Sequence, residues 1–223
     1  GGTGLRRRDA WVLLVAAAAQ GALWAFATPG PLRFGQAALG FDYALQATIL
    51  AAAVLLAAGW AIARIDGPDR SALGFRRPRQ RRAWLVAGVA LAIVALGMAW
   101  TVDVAAFERD YPWPSVAWLE GSAWRWLLWA ALYGLYYVGY EAFYRGAILA
   151  WARPRWGDGA ANAIQTVLST LVHLGKPLPE LLAAIPAGLA FGFLRMRSGS
   201  LGPVIALHLG IGLTLDVLLV VRP

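Results

Sequence analysis

Long uncharged apolar runs recur along this 223-residue chain, and they restrict what it can fold into more than any other feature. A helix needs about 20 apolar residues to cross the hydrocarbon core of a bilayer. The runs read as about seven such spans, at 10–28, 41–65, 83–100, 124–151, 159–174, 180–196 and 201–221. The fifth and sixth are short, so tilting, a break or a partly re-entrant path is expected there. With 60% hydrophobic and 14% charged residues, the chain has too little charge to cover a water-soluble surface. No strand-like alternation and no internal repeat stands out. The expected fold is all-α: a polytopic integral membrane helical bundle, with residues 1–223 forming a single transmembrane domain. The first span follows Arg6-Arg7-Arg8 like the start of a signal peptide, but it is long for one and no small-x-small cleavage site follows, so it is kept as a helix. The leading Gly1-Gly2-Thr3-Gly4 lacks a methionine and reads as a cloning remnant.

The net charge of +8 is explained by topology. Arg6 to Arg8, Arg64, Arg70, Arg76, Arg77, Arg79, Arg81, Arg82, Arg153, Arg155, Arg195 and Arg197 fall on one side of the spans. The other side has only Arg33, Arg109, Arg125, Lys176 and Arg222, and its longest loop carries Asp103, Glu108, Asp110 and Glu120. The positive-inside bias then puts the N-terminus in the cytoplasm and the 101–123 loop outside, in a bacterial inner membrane. The basic excess implies affinity for the anionic lipid bilayer and no nucleic-acid partner, because no aromatic-basic groove accompanies it. Trp84, Trp100, Trp113, Trp118, Trp124 and Trp126 cluster at span ends, as an interfacial belt would.

Charges inside the apolar runs mark the chemistry. Glu141 and Arg145 share one helix face at i and i+4, and the only two histidines, His173 and His208, lie in later spans. Ionisable groups are expensive in a membrane segment and usually belong to a functional site. The plainer reading of the Glu-Arg pair is a structural ion pair, and that of each histidine a satisfied packing residue. Cysteine is absent, which excludes disulfides, thiolate metal sites and cysteine nucleophiles. No Gly-x-Ser-x-Gly elbow is present, so carboxylate and imidazole chemistry remains. His173 is followed by Leu174-Gly175-Lys176-Pro177-Leu178-Pro179-Glu180, a stretch that cannot continue a helix.

These residues resemble the CAAX prenyl protease and bacteriocin-processing group, the CPBP or Abi family of intramembrane proteases. Its signature is Glu-Glu-x-x-x-Arg, then Phe-x-x-x-His, then His-x-x-x-Asn or Asp, each on its own membrane helix. Glu141 and Arg145, with Phe143-Tyr144-Arg145-Gly146, look like the second glutamate and the arginine of the first motif. His173 matches the second motif, and His208 in Ile205-Ala206-Leu207-His208 the third. The Leu73-Gly74-Phe75-Arg76 turn and the Gly199-Ser200-Leu201-Gly202-Pro203 lead-in also look like this family, so the resemblance covers roughly residues 70–216. It implies an endopeptidase that hydrolyses a peptide bond of a membrane-associated protein or peptide. The family has been described both as metal-dependent and as glutamate-dependent. Three positions depart from the signature: Tyr140 stands for the first glutamate, Gly212 for the final Asn or Asp, and Ser169 for the phenylalanine.

A phenol, with a reference pKa of about 10, is a poor base near neutral pH, so either another carboxylate has taken over or the chain is not a protease. Glu180, across the proline-rich break from His173, is the first candidate and Asp216 the second. An acidic helix start, favourable at the N-terminal dipole, is the plainer reading of Glu180. No cofactor is certain; zinc held by Glu141, His173 and His208 would leave one position for water, although no His-Glu-x-x-His motif is present. Two other classes fit the same residues: a non-proteolytic relative acting as an immunity or scaffold protein, and a small proton-coupled transporter with a relay through Glu141, His173 and His208. Counting helical rise puts Glu141 near the cytoplasmic end of its span and His173 near the outer end of its own, so the two are expected to meet only if a helix is displaced or the spans are differently bounded.

Overall fold

Alanine- and leucine-rich runs without internal breaks have little alternative to the α-helix in lipid, where every backbone N–H and C=O must be satisfied within the segment. The computed structural model, which describes residues 7–27, 39–67 and 73–222, is accordingly all-helical among the described residues. Its elements are α1 (Arg7–Ala22, prolonged by a π-helical stretch Leu23–Ala27), α2 (Phe41–Asp66), α3 (Arg82–Thr101), two short helices α4 (Val104–Phe107) and α5 (Val116–Glu120), α6 (Ala123–Glu141), a π-helical stretch Ala142–Ile148, α7 (Leu149–Leu171), α8 (Leu178–Ser198) and α9 (Gly202–Val221). Arg6, Arg33 and Arg70 of the charge pattern, and the end of the first expected span at Thr28, lie outside the described residues.

Four described helices, α2, α3, α8 and α9, are long and apolar enough to cross a membrane. The expected count of seven is therefore not reached on length and composition. The other three spans fall on interrupted or charged segments: α1 carries Arg7, Arg8, Asp9 and Gln20, the 124–151 run changes from α to π geometry, and α7 contains Arg153, Pro154, Arg155 and Asp158 and kinks at Gly157. Large apolar side chains on α3, including Leu85, Ile93 and Leu96, are exposed, as lipid-facing residues would be.

Close packing at the centre comes from small residues. On α2, Ala44, Ala47, Ala51, Leu55, Ala58 and Ile62 recur at helical spacing and are buried. Opposite them a Cβ on Gly139 would lie 2.9 Å from the Ala52 Cα, so α2 and α6 touch backbone to backbone. Helix α7 pairs with α8, and α3 with α9.

The two ends of the bundle differ in charge. At one end Arg155 bridges Asp9 (2.8 Å) and Asp66 (2.6 Å), and Arg76 Nε donates to the Gly199 carbonyl (2.8 Å). At the other, the 102–115 segment folds inward. Trp113, expected in an interfacial belt, is instead 1% exposed and packed among Trp129, Tyr133 and Tyr136, because a loop rather than a span end carries it.

Candidate functional site

The i, i+4 pair at the end of α6 is buried. Glu141 is 0% and Arg145 2% exposed, with Arg145 Nη1 3.3 Å from Glu141 Oε1. Buried charges persist only when paired, since removing either partner strands the other. The helix widens into its π-helical stretch immediately after Glu141, a distortion frequent at functional sites. On α9, His208 brings Nδ1 to 2.6 Å from the same Oε1. An ionised carboxylate only accepts, so Nδ1 carries the hydrogen and Nε2 of the neutral ring is left as an acceptor. Glu141 Oε2 has no hydrogen-bond partner.

The depth conflict between Glu141 and His173 is resolved by the kink. Gly157, at φ 79°, reverses the chain inside α7. Glu141 and His173 each lie sixteen residues from it, one before and one after, and so come level across the hairpin. The 124–151 bounds were misleading because the helix continues past residue 151 before it turns. Ser169 is the meeting point: its Oγ accepts from Arg145 Nη2 (3.3 Å), and its carbonyl accepts from the Tyr140 hydroxyl (2.9 Å) and from His173 Nδ1 (3.0 Å). A carbonyl can only accept, so His173 also carries its hydrogen on Nδ1 and presents Nε2 as an acceptor. Two of the three departures from the family signature, Tyr140 and Ser169, are thus bonded to each other.

Helix α7 ends at Leu171, and after a tight turn through Gly175 and Pro177 α8 starts at Leu178. Glu180 therefore sits in the first turn of α8, as the plainer reading expects, and also turns toward His173, whose Nε2 is 3.6 Å from Glu180 Oε1. That oxygen accepts from Lys176 Nζ (2.8 Å) and from the Tyr111 hydroxyl (2.8 Å), while Glu180 Oε2 has no partner. Burial, reinforced by the Glu180 charge, pushes the Tyr111 phenol well above its ordinary pKa, so it stays a neutral donor. By charge pattern alone Lys176 is a scattered cation, though the sequence already sets it at i, i+4 to Glu180. Nothing in the sequence pointed to Tyr111, which the loop path brings in.

Arg145, His173, Lys176, Glu180 and His208 all line one cavity of about 640 Å³. Aromatic rings make much of the remaining wall, with the Tyr137 ring centroid 4.2 Å from that of His208 and the two planes tilted by 39°. Gly212 explains itself here: a Cβ at that position would lie 2.6 Å from the Tyr137 hydroxyl oxygen and 2.8 Å from Tyr133 Cε1. The space that an Asn or Asp would need is taken by tyrosine. Asp216, the second candidate base, is buried off the cavity and accepts from Trp129 Nε1 (2.7 Å).

Among the described residues no three His, Asp or Glu side chains are grouped to hold a metal ion.

No curated protein and no solved structure is significantly similar to the chain. Residues 122–214, the segment that carries Glu141, Arg145, His173, Glu180 and His208, match the family of type II CAAX prenyl endopeptidases described as Rce1-like, and the resemblance to the CAAX prenyl protease family is thereby borne out.

Proposed function

We propose that the chain is an intramembrane endopeptidase of the CAAX prenyl protease type, hydrolysing a peptide bond of a membrane-associated protein or peptide, with Glu180 as the general base. The observation that carries this reading is Glu180 itself: its Oε2 has no hydrogen-bond partner, its Oε1 lies 3.6 Å from the acceptor nitrogen of His173, and both residues line one cavity. Water donates one hydrogen to Glu180 and the other, as a hydrogen bond, to His173 Nε2. The resulting hydroxide adds to the scissile carbonyl. Lys176 offers positive charge to the oxyanion that develops. Protonated Glu180 then returns its proton to the amine as the C–N bond breaks, leaving a carboxylic acid product. His208, held by Glu141 and Arg145, presents Nε2 as an acceptor for a substrate N–H. Tyr140 is a structural replacement, its hydroxyl spent on the Ser169 carbonyl.

The reading includes a single membrane domain of seven crossings in a bacterial inner membrane, with the arginine-rich end in the cytoplasm. Glu180 and the 102–115 loop then face outward. The exposed apolar faces of α3 and α8 support a lipid-embedded chain. Trapping tests this function: full-length protein carrying Glu180→Gln is used to retain membrane proteins and peptides, which are then identified by mass spectrometry and offered to the wild-type protein. Cleavage of a retained species by the wild-type protein supports the proposal. Retention without cleavage by the wild-type protein identifies a binding relative that does not cut.

A further inference from the structure

The two carboxylate oxygens of Glu180 have unlike surroundings. Oε1 accepts from Lys176 Nζ and from the Tyr111 hydroxyl, at 2.8 Å each, whereas Oε2 has no hydrogen-bond partner. Lys176 Nζ also donates to the Tyr111 hydroxyl oxygen, at 2.5 Å, which closes a triangle of phenol, ammonium and carboxylate. An ammonium only donates, so the phenol oxygen accepts from Lys176 and its single hydrogen goes to Glu180. Every bond of the triangle therefore has one direction, and the two that reach Glu180 fall on the same oxygen.

The phenol is aimed from outside the helices that carry the rest of the site. Tyr111 belongs to the 102–115 segment and precedes residues 122–214, the stretch that matches the family, so no motif within that stretch includes it. Its surroundings hold it in place. Tyr111 is 4% exposed, its backbone N donates to the Phe107 carbonyl (2.9 Å), and its ring lies nearly parallel to that of Trp113, with 14° between the planes and 6.5 Å between the centroids. Trp113 fixes the segment in turn, because its carbonyl accepts from Gly40 N (2.8 Å) at the start of α2. Lys176 Nζ lies 5.2 Å from the Tyr111 ring centroid, so the ring as well as the hydroxyl holds the cation.

We infer that Tyr111 is a positioning residue for the hydrolysis: by holding Oε1 it leaves Oε2 turned to the water that Glu180 deprotonates, and it keeps Lys176 beside the oxyanion that develops. The inference rests on Glu180 acting as the base and adds the group that orients it. Without the hydroxyl the grip on Glu180 passes to Lys176, whose four-carbon stem is flexible, and the carboxylate is free to turn. Misplacing a reacting group by about 1 Å costs on the order of a hundredfold in rate.

The test is Tyr111→Phe, which keeps the ring against Trp113 and removes the hydroxyl alone. Full-length protein in liposomes is given a quenched fluorescent form of a peptide that the Glu180→Gln protein retains and the wild-type protein cleaves. Turnover is counted per peptide-binding site, so that misfolded protein does not enter the rate. In Tyr111→Phe, kcat should fall about 10- to 100-fold while KM stays within about twofold of wild type. Tyr43→Phe, which takes the hydroxyl from another ring packed on Trp113, should leave both constants unchanged. A wild-type kcat in Tyr111→Phe, an equal loss in Tyr43→Phe, or a Tyr111→Phe protein that no longer folds would overturn the inference and leave Glu180 as the base. If Glu180→Gln cleaves at the wild-type rate, or the wild-type protein cleaves no retained peptide, the proteolytic reading itself fails and the role of Tyr111 falls with it.

Discussion

His208 Nδ1 lies 2.6 Å from Glu141 Oε1, across 67 residues of chain and between two different helices. The same oxygen faces Arg145, so one carboxylate both neutralises a buried guanidinium and fixes an imidazole tautomer. Glu141→Gln removes the counter-charge and leaves Arg145 stranded, at a cost of about 3–5 kcal/mol. His208→Gln loses a hydrogen bond to a charged group and costs about 1.5–3 kcal/mol. Thermal unfolding in detergent should therefore show Glu141→Gln as the more damaging of the two; the reverse order would mean that the ion pair does not anchor this end of α6.

Tyrosine occupies the space beside Gly212, so Gly212→Asn should not restore a family-like site. Its Cβ would meet Tyr137 and Tyr133, and overpacking of this kind costs about 1–3 kcal/mol. Adding Tyr137→Phe removes the closest clash, at the hydroxyl oxygen, and should recover part of the loss. The unfolding temperatures of the two single variants and the double variant check this coupling; simple additivity would contradict it.

The absence of native cysteine makes topology directly measurable. A cysteine at Gln80, in the arginine-rich loop, should react with a membrane-impermeant thiol reagent only after cells are opened. One at Glu108 should react on intact cells. The opposite pattern would invert the orientation and put Glu180 on the cytoplasmic side.

Much of the fold was legible because lipid imposes simple rules: uninterrupted apolar runs gave α2, α3, α8 and α9 nearly residue for residue. The spacing of Glu141 to Arg145 and the histidine motifs identified most of the groups that line or support the cavity. What sequence reasoning missed depends on chain paths without periodicity. The Gly157 kink, which brings Glu141 and His173 level, reads as one glycine among charged residues. Tyr111 reaches Glu180 through an irregular loop, and Trp113 becomes core for the same reason. Length and composition alone single out four crossings, because α1 and α7 carry charges that satisfy one another, as Arg155 does with Asp9 and Asp66.

The central claim is that Glu180 supplies the base that Tyr140 cannot. The most direct measurement is the cleavage rate of a validated substrate by wild-type and Glu180→Gln protein reconstituted in the same liposomes, with unfolding temperature measured alongside. A positioned base contributes about 10²–10⁴-fold, so the variant should lose at least about a hundredfold in turnover while still binding substrate and staying folded. A Glu180→Gln protein that cleaves at the wild-type rate would contradict the account and return the search for the base to Glu141 or Asp216.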